Sequence, residues 1–411
     1  MRTDGSSRRH AVIVCVAAVL LGCGLTLLAN SEQEAVGAAR QDLVRANTQF
    51  AFDLYHALAT DDSENLFFSP HSISTALAMT YAGARGETER QMAEALRLTL
   101  SQDDLHPASG ALNRDLMEWT DGIDGVGLSI ADALWGQDGH PFLAEFLDLI
   151  ETAYGAPLQR TDFAAHTEEA REKINDWVRE KTEDLIPKLF GPGSITPDTR
   201  LVLANAIHFL GTWKYPFDKE LTQDAPFHRL DGSEVSVPMM VADAVFGCVN
   251  GDDVLAVELP YAGDRLSMLI LLPDEDTFGP FEAAFSAEKL DDIVAQLYPQ
   301  HVWLAMPRFE STSEFSLASV LADLGMPDAF SSSADFSGMD GTHDLFISHV
   351  AHKAYVSVDE EGTETAAATG VIMTLSLPPM IRVDRPFLFL IRDTETGTIL
   401  LMGRVLDPTV G

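Results

Sequence analysis

The sequence predicts one α+β domain, and three observations support that class. Helical periodicity dominates the first half of the 411-residue chain, whereas short apolar strands dominate the second half. Strands and helices do not alternate regularly, as they do around a parallel sheet. No internal repeat and no Pro/Gly-rich linker divides the body, and 46% hydrophobic residues can fill one large core. We therefore expect a single domain over residues 30–411.

Residues 1–29 are expected to be a leader and not part of the fold. Arg8 and Arg9 follow two serines in a positive head, as in twin-arginine export signals. Residues 11–29 are mostly apolar, and the sequence Leu-Leu-Gly-Cys ending at Cys23 resembles a bacterial or archaeal lipobox. Lipidation at Cys23, an uncleaved membrane anchor and a cleaved signal peptide are all open. Each places the body outside the cytoplasm, in the cell envelope or the extracellular space.

The chain is strongly acidic, with a net charge of −36 at pH 7. Such a surface repels nucleic acids, heparin-like polyanions and anionic lipid headgroups. We therefore expect none of these as partners, and membrane contact only through the leader. The same charge favours a soluble monomer. It is typical either of an ordinary acidic protein or of one that lives in salt, which screens the self-repulsion.

The residues themselves do not predict an enzyme. The Gly-x-Ser-x-Gly elbow, the P-loop, the dinucleotide-binding glycine pattern and the His-Glu-x-x-His motif are all missing from the sequence. The carboxylates are spread along the chain, as expected for a solvated acidic surface. Cys248 is the one cysteine of the body, so we expect a buried or half-buried thiol, without an intrachain disulfide or a cysteine metal cluster.

Three histidines that are close in sequence, His343, His349 and His352, raise the question of a metal site. If residues 344–358 form a strand, His343 and His349 share one face and His352 faces the other. That geometry is poor for ligation. We expect histidines that are hydrogen-bonded within the sheet, with no metal and no other cofactor.

Apolar residues at helical spacing begin the first helix of the body near residue 40. They are Leu43, Ala46, Phe50, Leu54 and Leu58. Ser69 is a suitable N-cap for the next helix, with Pro70 at its first position. Further helices are predicted from 88 onward and at 103–120, 141–154, 166–186, 280–298 and 314–325. Strands are predicted at 128–135, 201–210, 235–248, 254–260, 266–272, 301–307 and 344–358, and as a pair within 386–404.

The stretch at residues 359–379 is typical neither of a strand nor of a loop. An acidic start is followed by small residues, then apolar residues, then Pro378 and Pro379. Drawn as a strand, the segment carries Glu364 on one face. The other face carries Thr363, Thr365, Ala367, Thr369, Val371 and Met373. Ala and Gly are poor strand formers and Thr tolerates water, so both conformations are open.

Six segments that follow one another in order resemble the serpin family, over about residues 40–408. They are 65–73 (Asn-Leu-Phe-Phe-Ser-Pro-His-Ser-Ile), 174–178 (Ile-Asn-Asp-Trp-Val), 203–213 (Leu-Ala-Asn-Ala-Ile-His-Phe-Leu-Gly-Thr-Trp), 306–309 (Met-Pro-Arg-Phe), 352–354 (His-Lys-Ala) and 383–389 (Val-Asp-Arg-Pro-Phe-Leu-Phe). Each segment alone is a weak signal, whereas six in register are a strong one. With its lipobox-like leader, the chain resembles a prokaryotic-type, inhibitory member.

The resemblance implies helices plus three β-sheets, with a five-stranded main sheet and an exposed reactive-centre loop at about residues 360–380. In this metastable fold the loop is bait for a serine protease, whose nucleophile forms an acyl-enzyme with it. The cleaved loop then inserts into the main sheet and traps the protease in a covalent complex. The implied function is inhibition of a serine-type endopeptidase, without enzymatic activity. The alternative is a non-inhibitory serpin with a binding or storage role.

The resemblance also assigns residues to these steps. The hinge that enters the sheet comprises Glu361, Gly362, Thr363, Glu364, Thr365, Ala366, Ala367, Ala368 and Thr369. Its inward face must be small and uncharged to insert quickly, and Thr365 stands where the family usually has Ala. The sheet-opening region comprises Ser69, Ser72, Asn205 and His352, with Trp213 where the hinge enters.

Two counts place the reactive bond one residue apart. Counting back from Pro386 gives Leu375–Ser376, whereas counting forward from Gly362 gives Ser376–Leu377. We take Leu375 and Ser376, because a small residue after the bond is common in the family. Leu suits an apolar primary pocket, which predicts chymotrypsin-, subtilisin- or elastase-like targets. A trypsin-like target is not expected, since no Arg or Lys lies between residues 360 and 380.

Overall fold

A computed structural model describes residues 36–61, 64–362 and 378–410. The predicted leader and residues 363–377 of the predicted loop lie outside this part of the chain. The helices are α1 (36–58), α2 (Pro70–Tyr81), α3 (Gly86–Ala95), α4 (Gln102–Asp121), α5 (Ala144–Tyr154), α6 (Thr167–Lys181), α7 (Phe278–Ala284), α8 (Ala287–Gln296), α9 (Ala318–Asp323) and α10 (Ser337–Asp340). The strands are β1 (Leu66–Phe68), β2 (Val126–Gln137), β3 (Gln159–Thr161), β4 (Leu201–Gly211), β5 (Gln223–His228), β6 (Glu234–Asn250), β7 (Val254–Pro260), β8 (Leu266–Pro273), β9 (Tyr298–Pro307), β10 (Phe309–Ser316), β11 (His349–Val358), β12 (Met380–Arg382), β13 (Phe387–Asp393) and β14 (Ile399–Val405).

The five-stranded sheet has the order β10-β11-β4-β2-β3. Its two central neighbours, β11 and β4, are parallel and pair from His349↔Val202 to Tyr355↔His208. They are flanked by antiparallel partners, β10 beside β11 and β2 beside β4. The predicted α+β class and five-stranded main sheet are confirmed.

The second sheet has nine strands, in the order β1-β14-β13-β8-β7-β6-β9-β12, with β5 paired to β6. The 17-residue β6 pairs with β5 near its start and with β7 near its end, and β9 runs along its other side. The resemblance implies three sheets. Because β6 continues through two of them, backbone hydrogen bonds join those two into one sheet in the described chain.

Helix α2 is enclosed in the core behind the main sheet. All 12 of its residues are buried, and it packs against β2, β4 and β14. A helix that is buried on every side needs small or apolar side chains, which the sequence from Pro70 to Tyr81 supplies. This helix therefore brings its N-terminal residues directly under the middle of the main sheet.

Helix α6 covers the opposite face of the main sheet. Ile174 and Val178 from α6 share a buried apolar cluster with Ala131 of β2 and Ala204 and Ala206 of β4. The helix ends at Lys181, before the predicted end at 186, because Glu183 and Asp184 adopt positive φ. Such residues cannot continue a right-handed helix.

Two other helix predictions were too long. The segment 280–298 contains two helices, because Phe285 is extended and the Ser286 hydroxyl caps α8 by accepting from the Lys289 amide at 3.3 Å. The segment 314–325 is helical only from Ala318, since residues 309–316 form the edge strand β10.

The strand predicted from residue 344 begins only at His349, so the expectation that His343 and His349 share a strand face was wrong. His343 is exposed and lies 3.2 Å from Asp335. Within the described residues, no group of three or more His, Cys, Asp or Glu side chains is arranged to hold a metal ion. The Cys248 thiol is buried, as predicted, and burial raises its pKa to about 11.

No helix between residues 36 and 410, outside the two gaps, is both long and apolar enough to cross a membrane. The apolar segment at 11–29, on which the anchor alternative depends, is not among the described residues.

Candidate functional site

Ser69 fixes the start of α2 under the main sheet. Its hydroxyl accepts a hydrogen bond from the Ser72 amide at 3.1 Å, and Pro70 occupies the first turn, as predicted. The same hydroxyl donates to the Leu400 carbonyl of β14 at 2.6 Å. Ser69 therefore ties the helix to the second sheet while its own amide is left to bond elsewhere.

His352, on β11, accepts a hydrogen bond from the Ser69 amide. The Ser69 N–H donates to His352 Nε2 at 3.1 Å, and His352 Nδ1 is hydrogen-bonded to Asn205 Oδ1. Nδ1 must carry the proton, because the Asn205 oxygen can only accept. Burial lowers the pKa of His352 to about 3, so the ring is neutral at physiological pH.

Asn205, on β4, continues this chain of hydrogen bonds. Its Nδ2 lies 2.6 Å from Ser72 Oγ and donates to Asp132 Oδ1 of β2 at 2.5 Å. The Ser72 hydroxyl also donates to Asp132 Oδ1, at 2.7 Å. We call these five residues, Ser69, Ser72, Asp132, Asn205 and His352, the sheet-opening network.

The network crosses the boundary between β4 and β11. His352 and Asn205 are registered partners on β11 and β4, and their side chains bond to each other across that parallel pair. Separating β4 from β11 breaks this bond and leaves buried polar atoms without partners, which is unfavourable. The network therefore stabilises the closed sheet.

Trp213 lies where the chain leaves β11. Its backbone amide donates to the Glu361 carbonyl at 3.1 Å, and its indole Nε1 donates to the Asp359 carbonyl at 2.9 Å. The ring is buried and stacks on Tyr261 at 4.5 Å between centroids. Trp213 thus holds the start of the predicted loop against the end of β4.

Glu360 lies in the segment that follows β11, residues 359–362, which we call the entrance. Its carboxylate is only 2% exposed. Arg308 forms an ion pair with it, and the Thr222 hydroxyl donates to it at 2.8 Å. The Glu360 carbonyl also accepts from the Phe217 amide at 2.8 Å. Burial raises the pKa of Glu360, but the hydrogen bonds from Arg308 and Thr222 outweigh it, so the net pKa is lowered and the carboxylate is ionised.

Gly362 fits the entrance because it has no side chain. Its φ is +102°, and a Cβ there would lie 2.1 Å from the Gly211 carbonyl oxygen and 2.6 Å from the Trp213 amide nitrogen. Both the backbone conformation and the close approach exclude other residues. The entrance, Asp359 to Gly362, is therefore seated at the end of β4.

The structure brings together Ser69, Ser72, Asn205 and His352, and it places Trp213 beside Glu361 and Gly362. The rest of the predicted hinge, 363–369, and the bond between Leu375 and Ser376 lie outside the described residues. Their roles stay predictions.

Sequence reasoning missed Asp132, Glu360 and Thr222, and it saw Arg308 only as part of a motif. In the sequence of an acidic protein, a carboxylate at a site looks the same as the many carboxylates that are exposed on the surface. For Asp132 a signal was present, because it interrupts the apolar strand 128–135 at a position that pairs with Asn205.

The described residues thus form a five-stranded main sheet with the parallel pair β4 and β11 inside it, and residues 359–362 lie at the end of β4. A family model described as Serpin (serine protease inhibitor) matches residues 45–408. The chain belongs to the serpin family, which is a family of protease inhibitors and not of proteases.

Individual relatives agree with this assignment. The chain is similar to the leukocyte elastase inhibitor of Sus scrofa, with 41% identity over 381 residues that cover 90% of this chain and 100% of the relative. An uncharacterized serpin-like protein of Thermococcus kodakarensis is 39% identical over 375 residues, covering 90% and 86%. The crystal structure of uncleaved ovalbumin matches with a TM-score of 0.81 and 30% identity, covering 89% and 100%. Since the relatives include animal and archaeal proteins, they show the family but not the prokaryotic type.

Proposed function

We propose that this serpin inhibits serine-type endopeptidases as a suicide substrate. The protease serine attacks the Leu375 carbonyl, the Leu375–Ser376 peptide bond breaks, and the Ser376 amine leaves with a proton. An ester then joins Leu375 to the protease. Insertion of the freed loop strand between β4 and β11 carries the protease away before water hydrolyses that ester.

The parallel pairing of β4 and β11 is the observation that carries this proposal. A chain that turns back after β11 runs antiparallel to β11, and between the two strands it runs antiparallel to β4 as well. Insertion would therefore replace one parallel pair by two antiparallel pairs, which are slightly more stable per residue. Residues 363–375 are long enough to run along the 11-residue β4.

The target class follows from Leu375, which is apolar and suits chymotrypsin-, subtilisin- or elastase-like proteases. The porcine relative is named as an elastase inhibitor, which is compatible with that class. To test the function, the full chain is incubated with chymotrypsin or subtilisin and separated on a denaturing gel. An SDS-stable band at the summed mass is expected, whereas complete cleavage without such a band would reject inhibition.

The alternative is a non-inhibitory serpin with a binding or storage role. Thermal unfolding distinguishes the two. Loop insertion after cleavage should raise the melting temperature, whereas a non-inhibitory loop that stays outside the sheet should leave it unchanged.

We also propose export to the cell envelope or the extracellular space, with Cys23 as the lipid-anchored residue in the lipoprotein alternative. This localisation and the prokaryotic type rest on residues 1–29 alone. The domain is taken as residues 30–411, with the protease as its covalent partner. With a net charge of −36, we expect a monomer that does not bind nucleic acid or heparin-like polyanions.

A further inference from the structure

A cavity of about 390 Å³ lies beside β2, near the edge of the main sheet. Strand β3 pairs with β2 only from Trp135 to Gln137, so among the described residues no strand continues the sheet beside the earlier part of β2. Helices α2, α4 and α6 and the turn after α5 enclose the space that is left. Its volume falls within the range of small-molecule sites, about 300–1,000 Å³.

The walls of the cavity combine flexible apolar side chains with two aromatic rings. Met79 of α2 and Met117 of α4 are thioethers, which adapt to ligands of different shape. Tyr154 and Trp177 add rings of the kind whose faces attract cations. Burial raises the pKa of Tyr154, so its hydroxyl stays neutral. Such walls suit a ligand with an apolar or aromatic body.

Asp132 gives the cavity a carboxyl group with an unused acceptor. Its Oδ1 accepts hydrogen bonds from Ser72 at 2.7 Å and from Asn205 at 2.5 Å. Its Oδ2 is shielded from bulk water and has no hydrogen-bond partner among the described residues. A shielded acceptor without a donor is unfavourable, so a ligand that brings a donor to Oδ2 gains affinity there. An ammonium group makes the strongest such bond, because both partners are then charged.

The charges at the cavity favour a cation at its inner end. Among the described residues that line it, Asp132 is the one acid and Lys181 is the one base. Lys181 is exposed, so it repels a cation at the mouth of the cavity more than one beside β2. The chain as a whole carries a net charge of −36, which concentrates cations around it.

We propose that this cavity is a binding site for a small apolar amine, with the ammonium group of the ligand hydrogen-bonded to Asp132 Oδ2. The apolar or aromatic body of the ligand packs against Met79, Met117 and Trp177. The two hydrogen bonds that Oδ1 accepts are retained in the complex. The inference goes beyond the proposed function, since neither the protease nor the reactive loop takes part in it.

The first test compares three probes of similar size and shape, which are 2-phenylethylamine, 2-phenylethanol and phenylacetate. Each is titrated into the uncleaved full chain by calorimetry, in about 0.5 M NaCl to screen unspecific attraction to the acidic surface. At about pH 8.5 an alkylammonium group is still charged. Burial raises the pKa of Asp132 to about 8, so its carboxyl is mostly ionised at that pH.

The amine should bind about ten-fold or more tightly than the alcohol, and phenylacetate should bind weakest. Absence of saturable amine binding up to about 10 mM would overturn the proposal. Equal affinities for the amine and the alcohol would do the same, because the carboxyl group would then not recognise the charge. A preference for phenylacetate would assign the cavity to anions that pair with Lys181 and would reject the amine.

Variants connect the binding to Asp132. Asp132→Asn should weaken amine binding about ten-fold or more and change alcohol binding by less than about two-fold. Asp176→Asn, at an exposed aspartate of α6, is the matched control and should leave both affinities unchanged. Equal amine affinities for Asp132→Asn and the wild type would overturn the role of the carboxyl group.

Ala156→Trp provides a second variant in case Asp132→Asn does not fold. Ala156 lines the cavity from the turn after α5, so a large ring there fills the space and leaves Asp132 in place. Binding of the amine and of the alcohol should both be lost. Undiminished binding by the folded Ala156→Trp variant would place the ligand elsewhere and overturn the site.

Methyl NMR of the methionines locates the ligand without relying on these variants. The amine should shift the methyl signals of Met79 and Met117, two of the 13 methionines of the chain, because both line the cavity. The signal of Met380, which is 51% exposed, should stay in place. Unshifted Met79 and Met117 signals at saturating amine would overturn the site. No protease is needed, so a failure of the proposed function leaves this measurement unaffected.

Discussion

At the scale of single residues, burial keeps four core histidines neutral. The pKa of His352 is lowered to about 3, and those of His71, His106 and His208 to about 4. His352 has both ring nitrogens hydrogen-bonded. A proton on any of these rings would place a charge in the core.

Acidification from pH 7 to 4.5 should therefore destabilise the folded protein. The unfolded chain binds protons near pH 6.5, before the folded chain does, so the unfolding free energy falls through this window. Each histidine contributes at most about 1.4 kcal/mol per pH unit to this fall. Desolvation raises the pKa of Asp132 to about 8, so this one group acts in the opposite direction to the four histidines. Urea unfolding at both pH values measures the change, and greater stability at pH 4.5 would contradict it.

Leu375 is expected to determine which protease is trapped. Leu375→Arg should shift complex formation from chymotrypsin to trypsin by at least ten-fold in rate, because a trypsin-like pocket requires a cation. Ser376→Arg is the matched variant for the alternative assignment of the reactive bond, which counts forward from Gly362. If it, and not Leu375→Arg, forms the trypsin complex, the reactive bond is Ser376–Leu377.

At the scale of elements, strands with strong apolar patterns were predictable and polar edge strands were not. The bounds of β7, 254–260, agree with the prediction, and β8 differs by one residue. Strand β10 was missed because its buried positions include Ser311 and Ser313, which give no apolar alternation. Its partners are distant in sequence, so only the folded sheet reveals it.

The candidate site was likewise predictable where a local sequence pattern marks it, and not where it depends on long-range contacts. Ser69 and Pro70 show a helix start in the sequence itself, whereas the hydrogen bonding of Asp132 and the burial of Glu360 depend on contacts with β4 and with Arg308. No local pattern encodes those contacts. The resemblance to the family assigned the site residues that the sequence pattern alone could not identify.

The entrance segment between β11 and the loop should depend on the Arg308–Glu360 ion pair. Arg308→Met leaves a buried carboxylate with Thr222 as its remaining side-chain partner, which should lower stability by about 1–3 kcal/mol. Thermal unfolding and native gels measure the loss of stability and any polymerisation. Arg179→Met, which breaks an exposed pair with Asp176, is the control and should change stability by less than about 1 kcal/mol.

The two faces of the hinge should respond differently to a charge. Thr363→Arg places a cation on the face that must enter the sheet, so insertion should slow and the inhibitor should become mainly a substrate. Glu364→Arg places the same cation on the opposite face and should retain trapping. The ratio of complex to cleaved product reports this, and equal ratios for the two variants would refute the register.

At the scale of the whole molecule, the proposed function requires one boundary of the main sheet, between β4 and β11, to open. Strands β4 and β11 are parallel, meet at the loop entrance, and are bridged by His352 and Asn205. The neighbouring boundary between β4 and β2 is antiparallel over eleven registered positions, from Val126↔Gly211 to Gly136↔Leu201. Insertion at the first boundary and not at the second is the central claim.

A reversible crosslink tests that claim most directly. Ala351 and Ala204 are registered partners across β11 and β4, so Ala351→Cys with Ala204→Cys places a disulfide over the boundary that must open. Ala131→Cys with Ala206→Cys is the matched control across β2 and β4. The oxidised and reduced forms of both are incubated with subtilisin, and SDS-stable complex is quantified.

The account predicts that the oxidised Ala351/Ala204 variant is cleaved without trapping the protease and that reduction restores the complex. The control pair should trap the protease in both redox states. Undiminished complex formation by the oxidised Ala351/Ala204 variant, with its disulfide verified by mass, would contradict insertion between β4 and β11.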